Sequence, residues 1–182
     1  MIDSIVDLLI LGLGNPLCGD DGAGVAAVSR LRERYDAPPG VAVLDGGTLG
    51  LSLLPYLRQA RTVILVDAVA ADAPPGTLVR LAGDDVAPAA AHRLSPHQVG
   101  VADLLDGARL LGGYPEVLVL IGVVPAQLEL SIERSPAVEA RIDDLVQATV
   151  DEAARMGHTF RGTDTDADVP SRSAPHDRIL GL

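Results

Sequence analysis

The amino-acid sequence predicts an α/β fold, a three-layer arrangement in which a mostly parallel twisted sheet of about five strands carries helices on both faces. Two observations predict it. Apolar runs of strand length, among them Leu8 to Leu13, Thr62 to Val66 and Glu116 to Val124, alternate with segments whose apolar residues repeat at helical spacing. The second is the material available for a core. Of all residues 48% are apolar, yet there are three Tyr, one Phe and no Trp, so the interior must be filled by Val, Leu, Ile and Ala. At 182 residues the chain has the size of one ordinary domain.

Leu8 to Leu13, with Gly12 and Gly14 at its end, reads as a central strand followed by a loop from Asn15 to Asp20. Val25, Val28 and Leu31 then fall at three-residue steps, the stripe of a helix from Asp21 to about Tyr35. Asp20 or Asp21 is its expected cap. After the Pro38-Pro39-Gly40 turn, Val41 to Leu44 makes a short strand closed by Asp45-Gly46-Gly47, and Leu49 to Leu57 makes a helix. Thr62 to Val66 is a third strand ending at Asp67. A loop covers Asp72 to Gly76, Thr77 to Leu81 fits an edge strand, and Ala82 to Arg93 reads as irregular.

Ser95-Pro96-His97-Gln98 places Ser at a cap, Pro at the first helical position and Gln three after the Ser, opening a helix to about Leu111. Glu116 to Val124 is the last strong strand, stopped by Pro125. Ser135-Pro136 repeats the cap-then-proline start, and Val138, Ile142, Leu145, Val146 and Val150 keep helical spacing to about Met156. From His158 onward the chain is polar, with Pro170 and Pro175 and little periodicity. One domain is expected over residues 1–157, followed by a loosely ordered tail over 158–182.

Composition excludes several function classes. A net charge of −11 opposes a surface built for nucleic-acid phosphate or anionic lipid, and the scarcity of aromatic rings opposes a base-stacking platform. The single Cys18 rules out an internal disulfide framework and fits a reducing compartment. The start of the chain carries Asp3 and Asp7 and no Arg before its apolar stretch, unlike a secretory signal. The apolar runs fall well short of the roughly 20 residues that cross a bilayer. A cytoplasmic protein without membrane or nucleic-acid partners is expected.

In an open parallel sheet, functional groups gather at the carboxyl ends of the strands, where the loops converge. Asp21, Asp45 and Asp67 follow or close the first three strands. A strand-end Asp alone commonly serves a turn. His97 stands at a helix start, whose partial positive charge keeps the imidazole neutral, the form that ligates metals. Carboxylate oxygens from two or three of these Asp residues together with one imidazole suit a borderline divalent cation such as zinc or nickel. The Gly12-Leu13-Gly14 stretch does not make a dinucleotide site: the third glycine of that fingerprint would fall at Leu17, and two carboxylates open the helix where pyrophosphate needs bare amides. Cys18 lacks a nearby base and sits beside Asp20, which reads as a small packing residue rather than a nucleophile.

Four separated motifs then appear in register: Gly12-Leu13-Gly14-Asn15 through Asp20-Asp21-Gly22-Ala23-Gly24, Asp45-Gly46-Gly47-Thr48, Val66-Asp67-Ala68, and Ser95-Pro96-His97-Gln98. With Gly122-Val123, Pro125 and Ser135-Pro136-Ala137-Val138 they make residues 8–157 closely resemble the hydrogenase maturation endopeptidases. The resemblance implies removal of the C-terminal extension from a nickel-iron hydrogenase large-subunit precursor after nickel insertion. It implies a metal-binding trio at Asp21, Asp67 and His97, with Asp45 as a further acidic position needed for activity. The nickel would be supplied by the substrate, and other divalent cations can occupy such a site. The general base is left open among Asp45 and the ligating carboxylates Asp21 and Asp67. Two readings from other classes stand beside it, a non-catalytic metal-sensing chaperone of the precursor and a small-ligand-binding α/β module.

Overall fold

The computed structural model of the chain describes residues 6–91, 100–163 and 180–181. In chain order its elements are β1 (Val6–Leu13), α1 (Ala23–Arg34), β2 (Tyr35–Asp36), β3 (Val41–Gly47), α2 (Leu54–Leu57), β4 (Ala60–Ala68), β5 (Leu78–Ala82), α3 (Val86–Ala91), α4 (Val101–Leu110), β6 (Val117–Val123), α5 (Pro136–Glu139), α6 (Ile142–Arg155), β7 (Arg161–Gly162) and β8 (Leu180–Gly181). The main sheet has the order β3-β1-β4-β6-β5-β8. Strands β3, β1, β4 and β6 are parallel, β5 runs antiparallel to β6, and β8 adds two residues parallel to β5. The expected mostly parallel α/β sheet is therefore present, with β5 shielded over part of its outer edge.

Every residue of β1 is buried except Asp7, because the strand is covered on both faces. Leu8 and Ile10 pack with Val28 and Leu31 of α1 and Leu145 of α6, whereas Leu9, Leu11 and Leu13 pack with Leu57 of α2 and Leu104 and Leu105 of α4. That continuous apolar run is the signature of a strand with no solvent face. Two glycines let α1 lie directly on the sheet. A Cβ on Gly24 would stand 2.0 Å from the Val66 carbonyl oxygen, and one on Gly14, whose φ is +117°, would stand 1.7 Å from the Asp21 carbonyl oxygen. Neither position has room for a larger residue.

Several local expectations are corrected. Neither Asp20 nor Asp21 caps α1; the cap position is Gly22, without a side-chain bond, because both carboxylates are engaged elsewhere. The 49–57 segment is a 3-10 turn over Gly50–Leu53 followed by α2. The segment read as irregular holds a 3-10 turn over Gly83–Asp85 and then α3. Its alanines are the best helix formers, and Pro88 falls in the first turn, where a missing N–H costs nothing. The last helix is two: Ser135 caps α5, its Oγ accepting the Val138 N–H at 3.3 Å, and the chain restarts at Ile142 with Asp143 and Asp144 in the first turn of α6. The start at Ser95 lies outside the described residues, and the helix that is described begins at Val101 after an extended Gly100. Of the polar C-terminal stretch, residues 158–163 pack on the domain. Phe160 is buried edge-on against Tyr35, and β7 pairs with β2. Among the described residues no helix is long and apolar enough to cross a membrane.

The loops at the carboxyl edge are fixed by Asp20, which is fully buried. Its Oδ2 accepts the N–H groups of Ala126 (2.8 Å) and Gln127 (3.0 Å) and the Ser135 hydroxyl (2.8 Å), and its Oδ1 accepts the Ser135 N–H (2.6 Å). One side chain thus ties the loop after β1 to the loop after β6 and to the start of α5. Farther along the sheet, the buried Glu152 of α6 accepts two bonds from the Arg80 guanidinium of β5, at 2.9 and 2.6 Å, and one from Arg155.

Replacing Asp20 by Ala leaves three backbone N–H groups without their acceptor, and a loss of about 3 kcal/mol is expected in urea unfolding, against about 1 kcal/mol for Ser135→Ala. A loss below 1 kcal/mol for Asp20→Ala would overturn the clamp. The Arg80 hydrogen bonds hold the Glu152 carboxyl below the usual carboxylate range, with Arg155 assisting and burial opposing. A depressed carboxylate pKa stabilises the fold at pH above the unfolded value, and that stability is lost as pH falls through the folded value. Melting followed from pH 7 down to pH 3 is expected to show a steeper acid loss for the wild type than for Glu152→Gln, which at neutral pH is less stable by about 2 kcal/mol.

Candidate active site at the carboxyl edge of the sheet

From β1 the chain crosses over one face to β3, and from β3 it returns over the other face to β4. The crevice between the carboxyl ends of β1 and β4 is therefore a topological switch point, where neighbouring loops diverge and leave room for a ligand. Asp21 lies in the 3-10 turn that follows β1, and Asp67 is the penultimate residue of β4. The two are drawn together by the close approach of Gly24, three residues after Asp21, to Val66, the residue before Asp67.

Each carboxylate is oriented by its own loop. Asp21 is half-buried, and its Oδ2 accepts the Asn15 N–H at 2.7 Å. Asn15 holds the rest of the turn: its Oδ1 accepts the Leu17 N–H (3.0 Å), its carbonyl the Cys18 N–H (3.0 Å), and its amide donates to the half-buried Cys18 thiol (3.2 Å). Asp67 is 1% exposed, and its Oδ1 accepts the Ala68 N–H at 2.8 Å. Leu65 and Val69, which flank it at two-residue spacing, both pack in the cluster containing α2 and α4, so alternation turns Asp67 toward that layer.

Asp45 is placed differently. In β3 it stands opposite Gly12 of β1, at the level of Val66 in β4. It shares parity with Val41 and Val43, which pack on the α1 and α6 side, so it faces the opposite side of the sheet from Asp67, and it is exposed. Among the described residues no three His, Cys, Asp or Glu side chains cluster closely enough to hold a metal ion, so the three Asp residues do not form one cage. His97 lies outside the described residues. The half-buried His158 follows α6, far along the chain from these loops.

Asp20 is the residue that local sequence reasoning assigned to the wrong task. It is not at the crevice; it supports the loop that carries Asp21. Beyond Asp67 the 70–75 segment walls two adjoining cavities that share Ala70 and Ala71. One, of about 490 Å³, reaches Leu81 and Pro88; the other, of about 360 Å³, reaches Val124 and Leu128. Their walls are mostly Ala, Pro, Val and Leu, with Asp72 and Asp85 at one end. Among the described residues these walls form an open, mostly apolar trough along the segment that follows Asp67.

Comparison with known proteins agrees with this architecture. The family model described as HycI, hydrogenase maturation protease, matches residues 25–152. Hydrogenase expression/formation protein HupD of Rhodobacter capsulatus is 42% identical over 153 residues, 82% of this chain and 72% of that protein. Hydrogenase 2 maturation protease of Escherichia coli (strain K12) is 39% identical over 141 residues, 77% of this chain and 86% of that protein. Among solved structures, the hydrogenase maturating endopeptidase HybD from E. coli superposes with a TM-score of 0.81 at 36% identity, over 87% of this chain and 99% of that one. A shared fold alone would leave the chaperone and ligand-binding readings open, but a family-model match over residues 25–152 together with a relative 39% identical over 141 residues does not: the chain belongs to the hydrogenase maturation protease family and is a maturation endopeptidase.

Proposed function

We propose that the chain removes the C-terminal extension of a nickel-iron hydrogenase large-subunit precursor after nickel insertion, and that it grips the loaded precursor through the nickel the substrate brings. The observation that carries this reading is the placement of Asp21 and Asp67 on either side of one switch point, each oriented by a backbone N–H of its own loop. Family membership supports the precursor as substrate.

The third ligand in this proposal is His97. It precedes Val101 by four residues, a tether of at most about 14 Å. Val101 lies toward the carboxyl edge, because the other end of α4 leads to the amino edge, where Gly113 packs on Arg58. A carboxylate pair with one imidazole suits a borderline divalent ion and leaves positions for ligands that the precursor retains. The ion fixes the extension in the trough beyond Asp67. A water then adds to the scissile carbonyl carbon, a carboxylate accepts its proton, the C–N bond breaks, and the proton passes to the leaving amine. Asp45, on the other face of the sheet at the same edge, serves as base only by reaching the water past the end of β1; otherwise one of the ligating carboxylates takes that role.

The test is cleavage of purified precursor with and without nickel. Wild type is expected to release the extension from loaded precursor only, and equal cleavage of both forms would refute recognition through nickel. His97→Ala and Asp21→Asn are expected to abolish processing while far-ultraviolet circular dichroism stays that of the wild type; retained cleavage would refute the ligand assignment. If Asp45 is the base, Asp45→Asn lowers kcat by about a hundredfold with KM unchanged. An unaltered kcat transfers the role to a ligating carboxylate.

A further inference from the structure

The loop between β6 and α5 does more than receive the Asp20 carboxylate. It carries Leu130 and Ile132, which are 87% and 80% exposed, and it lies against Leu17, which is 56% exposed. The two stretches are joined through backbone groups: Ser131 N–H donates to the Leu17 carbonyl at 2.9 Å, Gly19 N–H donates to the Ser131 carbonyl at 2.7 Å, and Cys18 and Ser131 form a parallel bridge. Leu130 and Ile132 flank that bridge on one strand and Leu17 adjoins it on the other.

This loop is pinned along its length. Ala126 and Gln127 at its start and Ser135 at its end donate to Asp20. In its middle the Ser131 hydroxyl donates to the Glu133 carbonyl at 2.9 Å and accepts the Glu133 N–H at 3.0 Å. A single exposed leucine on a protein surface means nothing. Two aliphatic side chains on a loop that its own hydrogen bonds prevent from collapsing, with Leu17 on the loop bonded to it, form an apolar patch held open to solvent, and such patches mark contact surfaces.

We infer that Leu17, Leu130 and Ile132 form the docking rim for the hydrogenase large-subunit precursor, an inference that rests on the function proposed above. The occupant follows from continuity with the candidate site. Leu17 and Asp21 sit in one hydrogen-bonded turn, both bonded to Asn15, so a protein that presents an ion to Asp21 passes over this rim. Charge narrows the partner further. The exposed Glu129 and Glu133 border the aliphatic residues, and the chain carries a net charge of −11, which calls for an aliphatic patch edged by Arg or Lys on the precursor.

The experiment is steady-state cleavage of nickel-loaded precursor by full-length Leu130→Ser/Ile132→Ser. Both side chains face water, so the melting temperature is expected to match the wild type. KM is expected to rise about tenfold, the order of loss for removing a small hot spot, with kcat within twofold. Leu110→Ser supplies the control. Leu110 is 87% exposed at the opposite end of the sheet, and its variant is expected to keep the wild-type KM. If wild type leaves loaded precursor uncut, the proposed function itself fails. If wild type cuts and the double variant keeps its KM, the rim alone is overturned, as it is by an equal KM rise for Leu110→Ser. Self-association of the wild type that the double variant abolishes in sedimentation would assign the patch to a second copy of this chain and likewise overturn it.

Discussion

The carboxyl edge of this sheet is organised around one buried carboxylate. Asp20 takes four hydrogen bonds from three residues that lie more than a hundred positions away in sequence, and without it the buried Ser135 would lose the acceptor of both its donors. Hydrogen bonding of this kind lets a carboxylate lie inside a protein without losing what water gave it. The consequence is mechanical. The loop after β1 cannot shift without carrying the loop after β6 and the start of α5, so Asp21, the next residue, is fixed relative to both.

The other constraint is steric. Gly14 and Gly24 allow backbone to touch backbone where α1 leaves the sheet, with no space for a Cβ at either point. This close approach sets Asp21 and Asp67 on neighbouring elements instead of leaving a side-chain layer between them. Hydrogen bonds and glycine contacts act on the same few residues from opposite sides, which is how a loop becomes as rigid as the strands it joins.

The central strands β1, β4 and β6 were legible in the sequence because both of their faces are covered, so each carries a continuous apolar run. Their ends were less so. Asp45-Gly46-Gly47 has turn chemistry, which masks the strand end in sequence; β3 continues to Gly47, and alternation turns Asp45 away from the face of Asp67. The role of Asp20 was hidden for a different reason. An Asp before a helix is an ordinary cap, and nothing local indicates donors 106 to 115 positions away. For α3 the signal was the alanine run, masked by Pro88 and by the short length of six residues. The division of the last helix was masked because the apolar spacing continues across Ala140 and Arg141, where the chain turns.

The small size of the proposed ligand set has an energetic meaning under the proposed reaction. A full cage of protein ligands would capture free ions and respond alike to loaded and empty precursor, since a site discriminates only by a difference in affinity. The proposed ligands Asp21, Asp67 and His97 would supply three side chains, leaving open the coordination positions that ligands on the precursor would fill. Carboxylates gathered at one crevice also repel each other until a cation lies between them. In the proposed reaction the loaded precursor would bring the cation and complete its coordination in the same step, whereas the empty precursor would do neither. Rigidity matters for the same reason: were the Asp21 loop free to close on another partner, the repulsion would be dissipated before the substrate arrived, and much of the discrimination would go with it.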